Sequence, residues 1–315
     1  MTTVLVTGAS GYLGSHLCKK LKREGFNVVG YDCKPPKHRY MDIFYEGDIR
    51  RKSSLLDLFS RVKIDTVFHL AGRIEVSQSW EYPNEFMDVN TAGTCNLLNV
   101  MTMFRVKNII YSSTAGVYAP SNRPIKENGK IAENHPYGIS KYMAETAIRY
   151  SNINHVIFRY FNLGGADIDG EMGESHDPET HLIPNILQNL NNVEIYGDDY
   201  DTPDGTCVRD YVHVCDVADA HFDAFNYLKS GKKSTTLNLG TGQGVSVLEM
   251  VKLVSEITGE YVDYDILPRR QGDPPVLVAD ISLAEKVLRY RPKHCLLYTS
   301  PSPRDLSTSR MPSSA

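Results

Sequence analysis

Tyr137 and Lys141, in the stretch HPYGISK, stand four residues apart, which puts both on one face of a helix. A cation beside a phenol favours phenolate and lowers a pKa of about 10 towards working pH. A phenol so placed is a usable base for a sugar hydroxyl. Spacing alone carries little weight, although Tyr137 is the only one of the chain's 19 tyrosines with a lysine four positions on. Position adds more, because the pair lies downstream of YSSTAGVY. That segment offers Ser112, Ser113 and Thr114 at the C-terminal end of an apolar run, where ligands sit in parallel sheets. Alone, such a hydroxyl cluster reads as a turn cap; beside the Tyr/Lys pair it reads as catalytic.

A second set could hold a dinucleotide. In VTGASGYLGSH, Gly8, Gly11 and Gly14 follow an apolar strand and open a helix. A tight turn and close backbone approach require glycines, and the helix N-terminus then faces a pyrophosphate. NVVGYD ends on Asp32, roughly 20 residues further on, where a carboxylate can hold a ribose diol. It would repel a 2′-phosphate, which favours NAD over NADP. Asp48 and Ile49 in EGDIR could flank the adenine, and Leu70 and Ala71 in HLAG could pass beside the cofactor.

These residues need a scaffold, and the first half supplies one. Apolar runs TVLV, NVVGYD, DTVFHLAG, NIIYSS and HVIFRYFN alternate with helical stretches, one with Leu13, Leu17 and Leu21 in phase. Strands interleaved with helices predict a Rossmann-type, doubly wound parallel α/β sheet. After Asn162 the chain turns Gly/Asp/Glu-rich. The expected division is therefore a dinucleotide-binding domain over 1–162 and a smaller C-terminal α/β substrate lobe over 163–294, some of whose segments return to the sheet.

Composition narrows the function class. The net charge of −4 gives no bulk attraction to nucleic acid or anionic membrane. No apolar run is long enough to span a bilayer. The six cysteines have no metal-binding spacing, so reduced thiols, no metal and a cytoplasmic location are expected.

From Thr3 to about His294 the chain resembles the extended short-chain dehydrogenase/reductases, within them the NAD-dependent epimerase/dehydratase family. The early motifs, Thr-Gly-x-x-Gly-x-x-Gly and Tyr-x-x-x-Lys, are widely shared. More specific are RYFN, GEMGE, PETHLIP, YGDDYDTPDGTCVRDYVHV, NLGTGQGVSV and PRRQGDPP. The resemblance implies redox 4-epimerisation of a UDP-hexose (UDP-glucose and UDP-galactose) through a 4-keto sugar, with bound NAD regenerated in each cycle. It implies Tyr137 as base, Lys141 as its support and Thr114 as the hydroxyl on the sugar O4. It adds Tyr12, Leu13, Asn90, Ser112 and Tyr160 to the cofactor set. Asn162, His181, Leu182, Tyr196, Arg209, Tyr211, Arg270, Asp273 and Leu277 fall in the substrate set. Arginines there suit a diphosphate through forked, charge-assisted hydrogen bonds. A homodimer is the family expectation.

Rival readings are weaker. Dehydratases of this scaffold carry an Asp-Glu pair directly after the Thr, where this chain has Ala115 and Gly116, which transfer no protons. A non-catalytic NAD-binding regulator has no use for Tyr137, Lys141 and Thr114 together. Leu277 stands where narrow-range members place a Tyr against the sugar's C2 substituent, which predicts room for an N-acetyl group and activity on UDP-GlcNAc. Two departures stand out: Ile74 replaces a Lys placed near the nicotinamide, and His181 replaces an Asn. The segment 295–315, CLLYTSPSPRDLSTSRMPSSA, matches the translation of a transposase-type sequencing adapter. It is expected to be non-native, with the second lobe cut short before it.

Overall fold

The computed structural model describes residues 1–174, 179, 181–270 and 272–294. The tail 295–315, read above as adapter translation, lies outside the described residues.

Strands β1 (Thr3–Thr7), β2 (Asn27–Asp32), β3 (Ile43–Glu46), β4 (Thr66–His69), β5 (Asn108–Thr114) and β6 (Asn154–Tyr160) come first. Then come β7 (Asn162–Gly164), β8 (Val193–Tyr196), β9 (Val208–Arg209) and β10 (Tyr211–His213). Last are β11 (Thr235–Leu239), β12 (Val245–Ser246), β13 (Tyr264–Leu267) and β14 (Val276–Leu277). The main sheet is parallel, seven-stranded and ordered β11-β6-β5-β4-β1-β2-β3. Chain direction across the sheet reverses between β1 and β4, and the crevice above that point is where such sheets take ligands. Strand β3, unread in the sequence, is a short edge strand whose residues are exposed or half-buried.

Helices α1 (Tyr12–Arg23), α2 (Lys52–Arg61), α3 (Val76–Glu81), α4 (Pro83–Phe86), α5 (Gly93–Met103) and α6 (Pro136–Tyr150) belong to the first half. The second half holds α7 (Leu182–Gln188), α8 (Val214–Lys229), α9 (Val247–Thr258) and α10 (Ser282–Leu288). Strands buried on both faces need apolar cover on both sides. One side is filled by Leu17 and Leu21 of α1 with Val217, Ala224 and Phe225 of α8. The other is filled by Leu55 and Leu58 of α2, Leu97 and Met101 of α5, and Ala144 and Ile148 of α6. A separate core joins Ile183 and Ile186 of α7, Val193 and Ile195 of β8, and Met250 and Val254 of α9. The chain after Asn162 thus builds a small lobe but returns α8, β11 and α10 to the main sheet. Among the described residues no helix is long and apolar enough to cross a membrane.

Two polar devices tie lobe to sheet. Lys19 of α1 meets Asp167, Asp169 and Glu171 of the loop after β7 at 2.6–2.8 Å. Asp210, fully buried between β9 and β10, accepts hydrogen bonds from Thr241 N and Oγ1 (both 2.7 Å), Gly242 N (2.9 Å) and Ala279 N (3.1 Å). Removing that carboxylate strands three backbone donors, each costing roughly 1–3 kcal/mol. Asp210→Ala is expected to lose at least about 3 kcal/mol, lowering the thermal midpoint by roughly 4 °C or more. Asp210→Asn, which keeps one acceptor oxygen, should lose less in the same melt.

Candidate active site

The turn after β1 shows why glycines occupy it. Gly8 has φ of +73°, and a Cβ there would lie 2.7 Å from the Ala71 nitrogen after β4. A Cβ on Gly14 would stand 2.0 Å from the Gly8 carbonyl oxygen, so α1 could not enter so closely. Gly11 caps α1 without a side-chain hydrogen bond, leaving the helix N–H groups open to a phosphate. At the end of β2, Asp32 accepts from Ser10 N (3.0 Å) and Lys34 N (3.1 Å). A carboxylate has about four acceptor sites, so two remain for a diol. Asp48 is engaged by Arg50, whose hydrogen bonds hold its carboxyl below the usual range. Ile49 is buried against Gly93. These residues, with Tyr12, Leu13, Leu70 and Ala71, line one end of a cleft of about 2350 Å³. Single-ligand pockets run to about 300–1,000 Å³, so this cleft has room for two large ligands. The glycine cradle and the Asp32 acceptor fit a dinucleotide.

Tyr137 and Lys141 stand on the first turns of α6, facing the end of β5. Lys141 Nζ donates to the Ser112 carbonyl at 2.6 Å and lies 4.9 Å above the Tyr111 ring. Tyr137 packs parallel to His135, centroids 5.7 Å apart, with Phe86 edge-on at 6.3 Å. Thr114 Oγ1 accepts from Gly116 N at 3.0 Å, which leaves its own proton for a ligand or for Tyr137. The expectation of a phenol lowered by Lys141 needs correction. Burial pushes the Tyr137 phenol up to about 12, with the Thr114 hydroxyl pulling down and Glu75 adding to the rise. Lys141 is committed to a carbonyl, and burial pushes its own pKa down to about 8, against the pull of Glu145.

The smaller lobe faces this pair. Asn162, Leu182, Tyr211 and Leu277 line the same cleft with Ser112, Tyr160, Arg209 and Asp273. Arg209 donates to the Pro274 carbonyl (2.8 Å) and approaches Asp273 at 3.4 Å. Arg270 stacks 3.7 Å over the Tyr196 ring, its fork left clear by the aromatic face. His181 pairs with Glu174; burial lowers its pKa, but the Glu174 contact outweighs this and the net shift is upward. Asn90 is the exception among the expected residues. Fully buried in a π-helical turn (Met87–Ala92), it bonds Arg73 N (2.8 Å), Arg73 O (3.0 Å) and Ser140 Oγ (2.9 Å). It positions the wall and does not line it.

The sequence reading missed several neighbours. His135 caps α6 by accepting from Gly138 N at 3.0 Å. Glu75 and Trp80 line the cleft from the segment after β4. Glu145, fully buried, takes Arg159 Nε (2.9 Å) and Nη2 (2.7 Å) and binds Ser113 and Arg149. Its signal was present, since 137, 141 and 145 share one helical face.

With this geometry in view, comparison with known proteins is direct. The model of the NAD-dependent epimerase/dehydratase family matches residues 4–240. A UDP-glucose 4-epimerase of Lacticaseibacillus casei is 41% identical over 305 residues, spanning 93% of this chain and 92% of that protein. The crystal structure of UDP-glucose 4-epimerase from Brucella ovis in complex with NAD superposes with a TM-score of 0.91 at 38% identity, covering 97% of this chain and 98% of that one. The enzyme from Bifidobacterium longum, in complex with NAD+ and UDP, gives 0.88 at 35%, covering 98% and 99%.

The buried Lys141 gives the site a pH signature. Its folded pKa, about 8, lies below the ordinary 10.5, so between the two the unfolded chain holds more protons. Stability from this group therefore rises with pH from about 8 to 10.5 and is lowest below 8, by on the order of 3 kcal/mol. Lys141→Met should abolish that rise, so the mutant-minus-wild-type stability in urea shrinks as pH climbs from 7 to 10. A constant difference would contradict the assignment.

Proposed function

This chain belongs to the NAD-dependent epimerase/dehydratase family, and from that premise we propose that it is a UDP-glucose 4-epimerase, interconverting UDP-glucose and UDP-galactose. The observation that carries the reading is the meeting, in one cleft, of the glycine cradle, the Tyr137/Lys141/Thr114 set and the arginines of the smaller lobe. Gly8, Gly11, Gly14 and Asp32 would hold NAD, with Ser112 and Tyr160 at its nicotinamide end. NAD supplies the acceptor and donor of hydride at the sugar C4, together with a fixed positive charge. Tyr137 takes the 4-OH proton on oxidation and returns it on reduction, and Thr114 orients O4. Lys141 holds positive charge beside the phenol as it becomes phenolate. Arg209 and Arg270 neutralise the diphosphate, so the 4-keto sugar can turn over without leaving. Ala115 and Gly116 offer no proton donor for dehydration, which supports epimerisation over elimination.

The same reading places the protein in the cytoplasm as a homodimer. All five cysteines among the described residues are free thiols, as suits a reducing compartment. Helices α5 and α6 pack side by side on one face of the sheet and expose Met103, Met143 and Tyr150, an apolar set that a second copy would cover.

Two measurements test the proposal. Purified protein should convert UDP-galactose to UDP-glucose with no added oxidant, and Tyr137→Phe should lose at least about 100-fold in kcat; no conversion by the wild type would sink the reading. Leu277 is half-buried on the cleft wall, and its size is proposed to admit an N-acetyl group. Leu277→Tyr should lower the UDP-GlcNAc to UDP-glucose activity ratio, and an unchanged ratio would remove that part.

A further inference from the structure

A buried histidine lies behind the cofactor end of the cleft. His221, on α8, is fully buried, with Phe158 and Tyr160 against its ring at centroid distances of 5.0 and 5.8 Å. Its Nδ1 lies 2.8 Å from the Val217 carbonyl. A carbonyl has only lone pairs, so Nδ1 carries a proton. Burial pushes the imidazole pKa down to about 4, against the weaker pull of that carbonyl. The ring is therefore neutral at working pH, and Nε2 is a bare acceptor.

The rest of the chain of bonds then has only one direction. The Tyr160 hydroxyl, 2.7 Å from Nε2, must donate to it. Its single proton is spent, so at 2.8 Å from Ser112 Oγ it can only accept. Ser112 must in turn point its proton at Tyr160. What Ser112 presents to the cleft is lone pairs alone, on the wall that also carries Lys141 and Tyr137.

We propose that His221 is a positioning residue which, through Tyr160, fixes Ser112 as a hydrogen-bond acceptor for an N–H donor, the carboxamide of the bound nicotinamide. The inference rests on the reading of this cleft as an NAD and UDP-hexose site. Sugar hydroxyls can also donate. Ser112, however, stands two residues before Thr114 on the same face of β5, one step deeper into the sheet than the hydroxyl assigned to the sugar. The carboxamide N–H of a bound nicotinamide would supply the donor that this acceptor matches. Without an acceptor behind it, the Tyr160 proton turns to Ser112, and the Ser112 proton is released into the cleft, where it opposes an N–H.

The test compares binding of NAD with that of its 3-acetylpyridine analogue, in which a methyl replaces the carboxamide NH2. ADP-ribose, which lacks the ring, is the control. Wild type should prefer NAD by about ten-fold or more, the loss of one buried hydrogen bond. His221→Leu should reduce that preference to about two-fold or less with ADP-ribose affinity unchanged, and His221→Gln, which restores an acceptor, should recover most of it. Tyr160→Phe releases the Ser112 proton while keeping both rings in the core, at the cost of the Nε2 partner, and should give the same collapse, which keeps the test open if His221→Leu folds poorly. A wild type that binds both dinucleotides equally, or a Tyr160→Phe variant that keeps the full preference, overturns the polarity lock and leaves the epimerase reading standing. Failure of wild type to bind NAD or ADP-ribose at all would overturn both.

Discussion

An ammonium group held 3% exposed beside the C-terminal end of a central strand is the constraint around which this site is arranged. A buried charge costs several kcal/mol unless its donors and its field are answered. Lys141 finds the Ser112 carbonyl at 2.6 Å, the face of Tyr111 at 4.9 Å and the field of Glu145 one turn on. Each answer recruits a further residue. A Cβ at Gly72 would stand 3.3 Å from Nζ and 2.8 Å from Asn90 Oδ1, so that stretch of backbone has no room for one. Glu145 brings a carboxylate into the core and needs the fork of Arg159 to stay there. Gly72, Glu145 and Arg159 are thereby drawn into one arrangement around a single cation.

Hydrogen-bond direction links the two ends of the cleft. Thr94 Oγ1 donates to the Asn90 carbonyl at 2.6 Å, so it accepts from His69 Nε2 at 2.9 Å. His69 Nδ1 is then bare and takes the Thr7 hydroxyl at 2.7 Å, one residue before Gly8. Asn90 passes the chain to Ser140, whose hydroxyl donates to the Tyr137 carbonyl at 2.7 Å. The glycine turn and the backbone of Tyr137 are thus joined by two runs of hydrogen bonds, one ending on the Asn90 carbonyl and the other starting from its side-chain amide. Burial pushes His69 down to about 3, which keeps the relay neutral and its direction fixed. His69 and His221 serve alike in this respect, one for each end of the cofactor cleft.

What could be read from the chain were features whose physics is local. Gly8 and Gly14 announce themselves because close backbone approach forbids a side chain, and Asp32 because a strand end fixes its distance. The strand-helix alternation gave the sheet and its winding for the same reason. Tyr137 and Lys141 were legible from helical spacing, but their proton affinities were not, since burial is a property of the packed sheet. Asn90 reads as a cofactor contact by position, whereas the π-helical turn withdraws it behind the wall. His221 was illegible: its role depends on Tyr160, 61 positions away, and on a tautomer set by its own helix. Strand β3 escaped because four exposed or half-exposed residues on a sheet edge carry too short a pattern.

Burial moves the two central groups in opposite senses, the phenol up to about 12 and the ammonium down to about 8. Their order is thereby inverted relative to water, where the phenol, at about 10, gives up its proton slightly before a lysine at about 10.4. In the protein the shared environment keeps the proton on Tyr137 until further positive charge arrives. Glu75 works against phenolate, and Lys141, tied to the Ser112 carbonyl, does not by itself offset the burial of the phenol. A cation brought against the phenol by a ligand stabilises phenolate and opposes the burial term directly. Positive charge carried by a ligand therefore favours phenolate in this cleft more than the chain's own groups do.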